Sequence, residues 1–217
     1  MPEVGSEKSG DPVPSSWGSK KRKTRAVKSG TEKWRDRLPV SPLFFVEEHM
    51  NNLRIYRVDD RYIRFLKSRD HRVQDNKNKR RPYVGIVLTV GQYEYFVPME
   101  SPKPNHANIK SGKHIMRLDG GRLGLLGFNN MIPVRDAALI DYNIDQEPDP
   151  RYKSLLQNQI RFCNRHKADI YDHAQKTYFD VVNKKNAFLL KISCDFRALE
   201  RACREYRPVP PGDGQKV

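Results

Sequence analysis

The sequence predicts an α+β domain. Three observations carry this. β-type runs crowd residues 53 to 144, helical spacing takes over from 150 to 206, and the two strongest runs meet at one glycine turn as an antiparallel hairpin. A chain of 217 residues is long enough for one such domain with a buried core and flanking tails.

Residues 1–40 are rich in Gly, Ser, Pro and Lys and show no apolar periodicity, so they are expected to stay disordered. They hold "KKRKTR" at 20–25, a solvated charge run by default and otherwise a nuclear signal or an arm that grips RNA. Met50 stands just before the first patterned stretch. The preceding Glu47, Glu48 and His49 can be encoded as GAGGAGCAC, which resembles a bacterial ribosome-binding site. Translation from Met50 is therefore an expectation, with 1–49 an over-extended reading frame and 50–207 a single domain.

"LRIYRV" at 53–58 reads as a first strand. Asp59 or Asp60 caps a helix that sets Tyr62, Ile63 and Leu66 on one face and Arg61, Arg64 and Lys67 toward water. A very basic loop, 69–82, ends at Pro82. Residues 83–90 and 93–99 are strands joined at Gly91-Gln92, where glycine supplies the positive φ of a tight turn. Short strands follow between 113 and 144, punctuated by "DGGR" and "NN". In "PDPRYKSLLQNQIRFCNRHK", Tyr152, Leu155, Leu156, Gln159, Ile160 and Cys163 share a helical face on which Gln159 is the polar exception. Helical spacing recurs in 169–183 and 195–206, and 208–217 reads as a disordered tail.

Forty-one Lys plus Arg against 26 Asp plus Glu give a net charge of +15, which attracts polyanions. Nucleic acid is the leading partner class and an anionic membrane surface the second; a merely soluble charged surface is the bland alternative. Residues 1–49 carry ten basic and seven acidic residues, so the remainder keeps +12. Cys163, Cys194 and Cys203 are odd in number and widely spaced, which suggests neither a disulfide framework nor a zinc cage. No run approaches the roughly 18 apolar residues of a membrane span, so a cytoplasmic protein is expected. Walker, dinucleotide, G-x-S-x-G and H-x-x-x-H patterns are absent, and neither metal nor cofactor is expected.

The chemistry gathers in "VPMESPKPNHANIKSGKH", residues 97–114, where a rigid strand end hands over to a loop free to present groups. Ser101 and Lys103 flank Pro102, whose fixed φ holds them in a defined relation; a cation beside a hydroxyl can bind and orient a phosphate. Glu100 can accept a proton. Asn105, His106 and Lys113 follow, with His106 an RNA contact, an acid or simply a solvated loop residue. "NKNKRRP" supplies Lys77, Lys79, Arg80 and Arg81 just before the first hairpin strand, so pairing should bring Arg81 beside Ser101 and Lys103. The competing reading is an exposed basic loop that shares no geometry with Ser101.

Taken in order, "YRVDDRYIRFLKSRD", "RPYVGIVLTVGQYEYFVPMESPK", "LGLLGFNNMIPV" and "RYKSLLQNQIRF" resemble the ToxN/AbiQ family, the toxins of type III toxin–antitoxin systems, across residues 53 to 206. The resemblance implies a metal-independent endoribonuclease on a strongly twisted antiparallel sheet with packed helices, like the Kid/MazF/CcdB toxins. It implies an mRNA substrate, a repeat antitoxin RNA whose pseudoknot closes with the toxin into a ring, and a role in phage defence. Ser101 and Lys103 then match the residues central to cleavage, Arg81 a basic position before the G-I-V-L strand, and Gln159 a glutamine lining the groove. Tyr62, Lys77, Lys79, Arg80, Asn105, His106 and Lys113 complete the expected RNA contacts. Glu100 departs from the family, which carries a hydroxyl residue there; it is either a stronger proton acceptor or a charge that weakens phosphate binding.

A metal-free ribonuclease can use the RNA 2′-hydroxyl as nucleophile, and a 2′,3′-cyclic phosphate is then the expected product. The expected roles are phosphorane stabilisation for Lys103 and Arg81, phosphate orientation or proton relay for Ser101, and general base for Glu100. A non-catalytic RNA-binding protein is the alternative, with Glu100 marking a lost active site. A DNA-binding regulator lacks a helix with a basic reading face.

Overall fold

Cap and turn chemistry sets the limits of the elements. Asp59 accepts a hydrogen bond from the Arg61 amide, ends strand β1 (Arg54–Val58) and starts helix α1 (Asp60–Arg69), which buries Tyr62, Ile63 and Leu66. Gly91, at φ 59°, makes the turn between β2 (Tyr83–Val90) and β3 (Tyr93–Glu100). The remaining strands are β4 (Ile115–Leu118), β5 (Gly124–Gly127), β6 (Ile132–Pro133) and β7 (Leu139–Asp141). This computed structural model describes residues 52–77 and 80–208. The expectations for residues 1–49, Lys79 and 209–217 lie outside the described residues.

The described strands form a mixed fold's single antiparallel sheet in the order β4-β5-β3-β2-β1-β7, with β6 also pairing β3. The helices follow as the spacing predicts. Asp149 caps α2 (Pro150–Arg165) with Pro150 in its first turn, and Asp195 caps α5 (Phe196–Glu205). Helix α3 spans Lys167–Val182. The short α4 (Ala187–Ile192), capped by Asn186, is an addition that six residues are too few to signal by periodicity. None of the described helices is long and apolar enough to cross a membrane.

Tyr62, Tyr83, Tyr95, Phe96, Phe128 and Phe196 are fully buried in the core between sheet and helices. The Glu200 carboxylate is buried with them. Glu200 accepts from the Tyr95 hydroxyl at 2.9 Å, the Tyr178 hydroxyl at 2.7 Å and Arg197 at 3.0 Å, so its charge is matched and its lone pairs are used. The three cysteines are free and buried, and burial pushes the Cys163 and Cys194 thiols up to about 12.

The hairpin register decides where the functional residues meet. Near its turn, Val90 faces Tyr93 and Leu88 faces Tyr95. An irregularity between Val84 and Leu88 shifts the pairing by two places, so that Val84 faces Val97 and Tyr83 faces Pro98. The Met99 amide then donates to the Pro82 carbonyl at 2.9 Å, and the pairing carries Arg81 to the level of Glu100.

Candidate active site

Strand β3 ends at Glu100, where β5 is its second neighbour through the Met99–Leu126 and Glu100–Leu125 pairs. Held by strands on both sides, the chain leaves the sheet through exposed Ser101 and Pro102 with Lys103 extended, and Pro104 opens a 3-10 turn, Pro104–Asn108. The His106 amide closes this turn onto the Lys103 carbonyl at 3.0 Å. The loop thus folds back on the strand end. Lys103 Nζ donates to Glu100 Oε2 at 2.9 Å, and the His106 ring, only 2% exposed, lies beneath with Nε2 3.9 Å from the same oxygen.

Arg81 approaches from the other strand, and its loop explains how. Its amide donates to the Asn76 carbonyl at 3.0 Å and its Nε to the Asp75 carbonyl at 2.7 Å. Asn76 in turn donates from its side-chain amide to the Val58 carbonyl and to Asp60, both at 2.6 Å, which pins the loop to the junction of β1 and α1. Arg81 is thereby buried and aimed. At Glu100 burial pulls the carboxyl up, but the Lys103 hydrogen bond and charge, with Arg81 and His106 beyond it, outweigh burial and hold it below the usual carboxylate range. Glu100 is ionised at neutral pH, and its charge is offset by cations rather than left to repel a phosphate.

The "DGGRLG" turn braces this arrangement from behind. Gly124 has φ +99°, and a Cβ there would lie 1.9 Å from the Glu100 carbonyl oxygen. Gly121, also at φ +99°, would set a Cβ 3.0 Å from the His106 carbonyl carbon. Only glycine lets two backbones come this close. Gln159 fixes the turn by donating to the Leu123 carbonyl at 2.6 Å.

The expected residues therefore separate into three groups. Glu100, Lys103, Arg81 and His106 form one cluster, with Ser101 and Asn105 exposed in its loop. Lys77 and Arg80 are exposed in the loop before β2, joined by an amide-to-carbonyl bond at 3.2 Å. Lys113 is exposed but stands against α3, paired to Asp180 at 2.9 Å. Three expectations are corrected. Tyr62 is fully buried and its hydroxyl donates to the Pro133 carbonyl at 2.6 Å, so it has no face for RNA. Gln159, 1% exposed, stands behind the site and does not line its surface. His106 is buried, not solvated, because the 3-10 turn folds its ring under Glu100. The sequence does not point to Asn76 or Gly124: nothing distinguishes Asn76 within a polar loop, and the glycine-rich turn that holds Gly124 has the pattern of a simple connection.

Residues 54–204 match the sequence profile of the family described as toxin ToxN of type III toxin–antitoxin systems. Endoribonuclease ToxN of Bacillus thuringiensis subsp. kurstaki is 31% identical over 166 residues, covering 72% of this chain and 86% of the relative. Endoribonuclease AbiQ of Lactococcus lactis subsp. lactis is 30% identical over 178 residues, covering 77% and 96%. Among solved structures, that of a type III system described by selective toxin inhibition by a non-coding RNA pseudoknot is similar with a TM-score of 0.65 and 30% identity, over 72% of this chain and 98% of the other. The structure of AbiQ, a lactococcal anti-phage endoribonuclease of the type III system, gives 0.64 and 28% over the same shares.

Proposed function

The chain belongs to the ToxN family of type III toxin–antitoxin toxins, and from that premise we propose that it is an endoribonuclease toxin acting in the cytoplasm through the cluster at the end of β3. Residues 50–207 are its functional domain, and the all-antiparallel sheet with packed helices supports a strongly twisted Kid/MazF/CcdB-like architecture. Its substrates are mRNA and its own repeat antitoxin transcript, and the pseudoknot cut from that transcript inhibits it in a closed ring. The observation that carries the reading is the Lys103 ammonium on the ionised Glu100, with Arg81 level with that carboxylate across the hairpin and Ser101 exposed beside it.

In the proposed reaction Lys103 leaves Glu100 for the scissile phosphate, and Arg81 adds a second positive charge where the phosphorane develops. Glu100 takes the 2′-hydroxyl proton as the 2′-oxygen bonds to phosphorus. The bond from phosphorus to the 5′ oxygen breaks, and the leaving oxygen takes a proton from the Lys103 ammonium relayed by the Ser101 hydroxyl. The product ends in a 2′,3′-cyclic phosphate. In the free protein the Lys103 contact keeps Glu100 ionised and ready, and the departure of Lys103 to the phosphate removes the main cation that weakens Glu100 as a base.

The test is cleavage of an end-labelled RNA by the purified chain in EDTA, with the product ends analysed. Cleavage with a cyclic phosphate, and its loss in Ser101→Ala with RNA binding retained, supports the reading. A Ser101→Ala variant that cleaves at the parent rate overturns it, and binding without cleavage by the parent chain favours a non-catalytic RNA-binding protein.

A further inference from the structure

We propose that His106 is a positioning residue for this reaction, acting through Glu100: its Nε2 N–H orients the carboxylate that receives the 2′-hydroxyl proton. The inference rests on the endoribonuclease reading above. Three observations carry it. The ring is buried, its Nε2 faces Glu100 Oε2 at 3.9 Å, and its Nδ1 has no hydrogen-bond partner among the described residues. Burying an imidazole with one nitrogen unpaired costs free energy that an apolar side chain of similar size would avoid. Among the described residues, the charged group that faces this ring is the Glu100 carboxylate.

The sequence of events gives the 3.9 Å separation its meaning. In the free protein Lys103 occupies Glu100 Oε2 at 2.9 Å, and His106 waits about an ångström farther out. When Lys103 turns to an RNA phosphate, the carboxylate loses that donor. Arg81 is held by its Nε on the Asp75 carbonyl and turns its remaining charge to the phosphorane, so His106 is the group beneath Glu100 that can close on the vacated oxygen. Its backbone cannot retreat, because the His106 amide is bonded to the Lys103 carbonyl and Gly121 packs against its own carbonyl carbon. Being buried, His106 acts on the substrate only through Glu100.

The experiment uses the full chain and a 5′-labelled single-stranded RNA pool of mixed sequence in EDTA. It compares the parent with His106→Ala, His106→Gln, Glu100→Gln and the His106→Ala/Glu100→Gln double variant. His106→Ala is expected to lower kcat on the order of 10- to 100-fold with KM little changed, the loss typical of a misplaced reacting group. His106→Gln, whose amide nitrogen falls near the Nε2 position, is expected to recover most of that loss. In the Glu100→Gln background His106→Ala is expected to cost nothing further, because residues acting through one another are not additive. A full His106→Ala loss in that background, a loss in KM alone, or no recovery with Gln overturns the proposal. A readout independent of cleavage is the NMR signal of the His106 ring, which shifts between the parent and Glu100→Gln if the two groups face each other in solution; an unmoved signal is also decisive against it. A parent chain inactive in EDTA removes the endoribonuclease reading and this inference together. An active parent with an unaffected His106→Ala removes only the inference.

Discussion

Replacing Gly124 by alanine isolates the support behind the site from the site itself. The added methyl would meet the Glu100 carbonyl oxygen at 1.9 Å, whereas real contacts of this kind essentially never fall below 3.0 Å. Backbone must therefore move by about 1.1 Å (3.0 minus 1.9) in β5, in β3 or in both. The positive φ adds about 1–3 kcal/mol of strain for a residue with a Cβ. Overpacking a closed contact typically costs another ~1–3 kcal/mol. A total of at least about 2 kcal/mol corresponds to a melting point lower by roughly 4–8 °C in a protein of this size. A displacement of about 1 Å at Glu100 is also enough to lower kcat on the order of 100-fold. Thermal unfolding followed by circular dichroism and RNA cleavage well below the transition measure the two effects separately. Gly120→Ala is the control: at φ +64° with nothing within 4 Å, it meets strain but no neighbour, and should lose about 1 kcal/mol while keeping its kcat. A Gly124→Ala variant that melts and cleaves like Gly120→Ala would refute the reasoning.

Other outcomes follow from the same contacts. Tyr62→Phe leaves the Pro133 carbonyl without its donor and should cost about 1 kcal/mol of stability by urea titration while RNA affinity stays unchanged; a fall in affinity alone would restore Tyr62 as an RNA contact. Arg81→Met should reduce kcat on the order of 100-fold in the cleavage assay, with the loss persisting at saturating RNA. At Asp70, burial would raise the carboxyl, but hydrogen bonds from the Arg72 side chain and from the Asp195 and Arg72 amides win and hold it below 3.8. The folded state therefore binds fewer protons than the unfolded chain, and the stability from Asp70 is present above that pH and lost as pH falls through the lower folded value. Urea titrations of the parent and Asp70→Asn should differ most at neutral pH and converge as acid protonates the Asp70 carboxyl of the folded state, and a gap that widens in acid would contradict this sign.

The site was only partly legible in the order of residues. Ser101, Lys103 and Glu100 could be found because a strong strand ends in a proline-locked turn, a signal carried by neighbours in the chain. Tyr62 lies with Ile63 and Leu66 on the apolar stripe of α1, a local pattern that marks it as core. Gln159 was visible as the polar exception among Leu156 and Cys163, but its partner, the Leu123 carbonyl, lies 36 residues earlier. His106 carried no local mark of burial, since Asn105 and Ala107 on either side are exposed.

What the sequence by itself determined is local: the helix caps at Asp59 and Asp149, the glycine turn of the hairpin, the helical stripes and the cationic balance. These depend on backbone preferences and on repeats a few residues long, so they can be read along the chain. The tertiary structure decided the two-place register shift that brings Arg81 level with Glu100, the burial of His106 beneath that carboxylate, and the glycine turn packed against its carbonyl. Each of these is a contact between segments distant in sequence, whose geometry follows from how the strands and the loop fill space together and from no single stretch of residues.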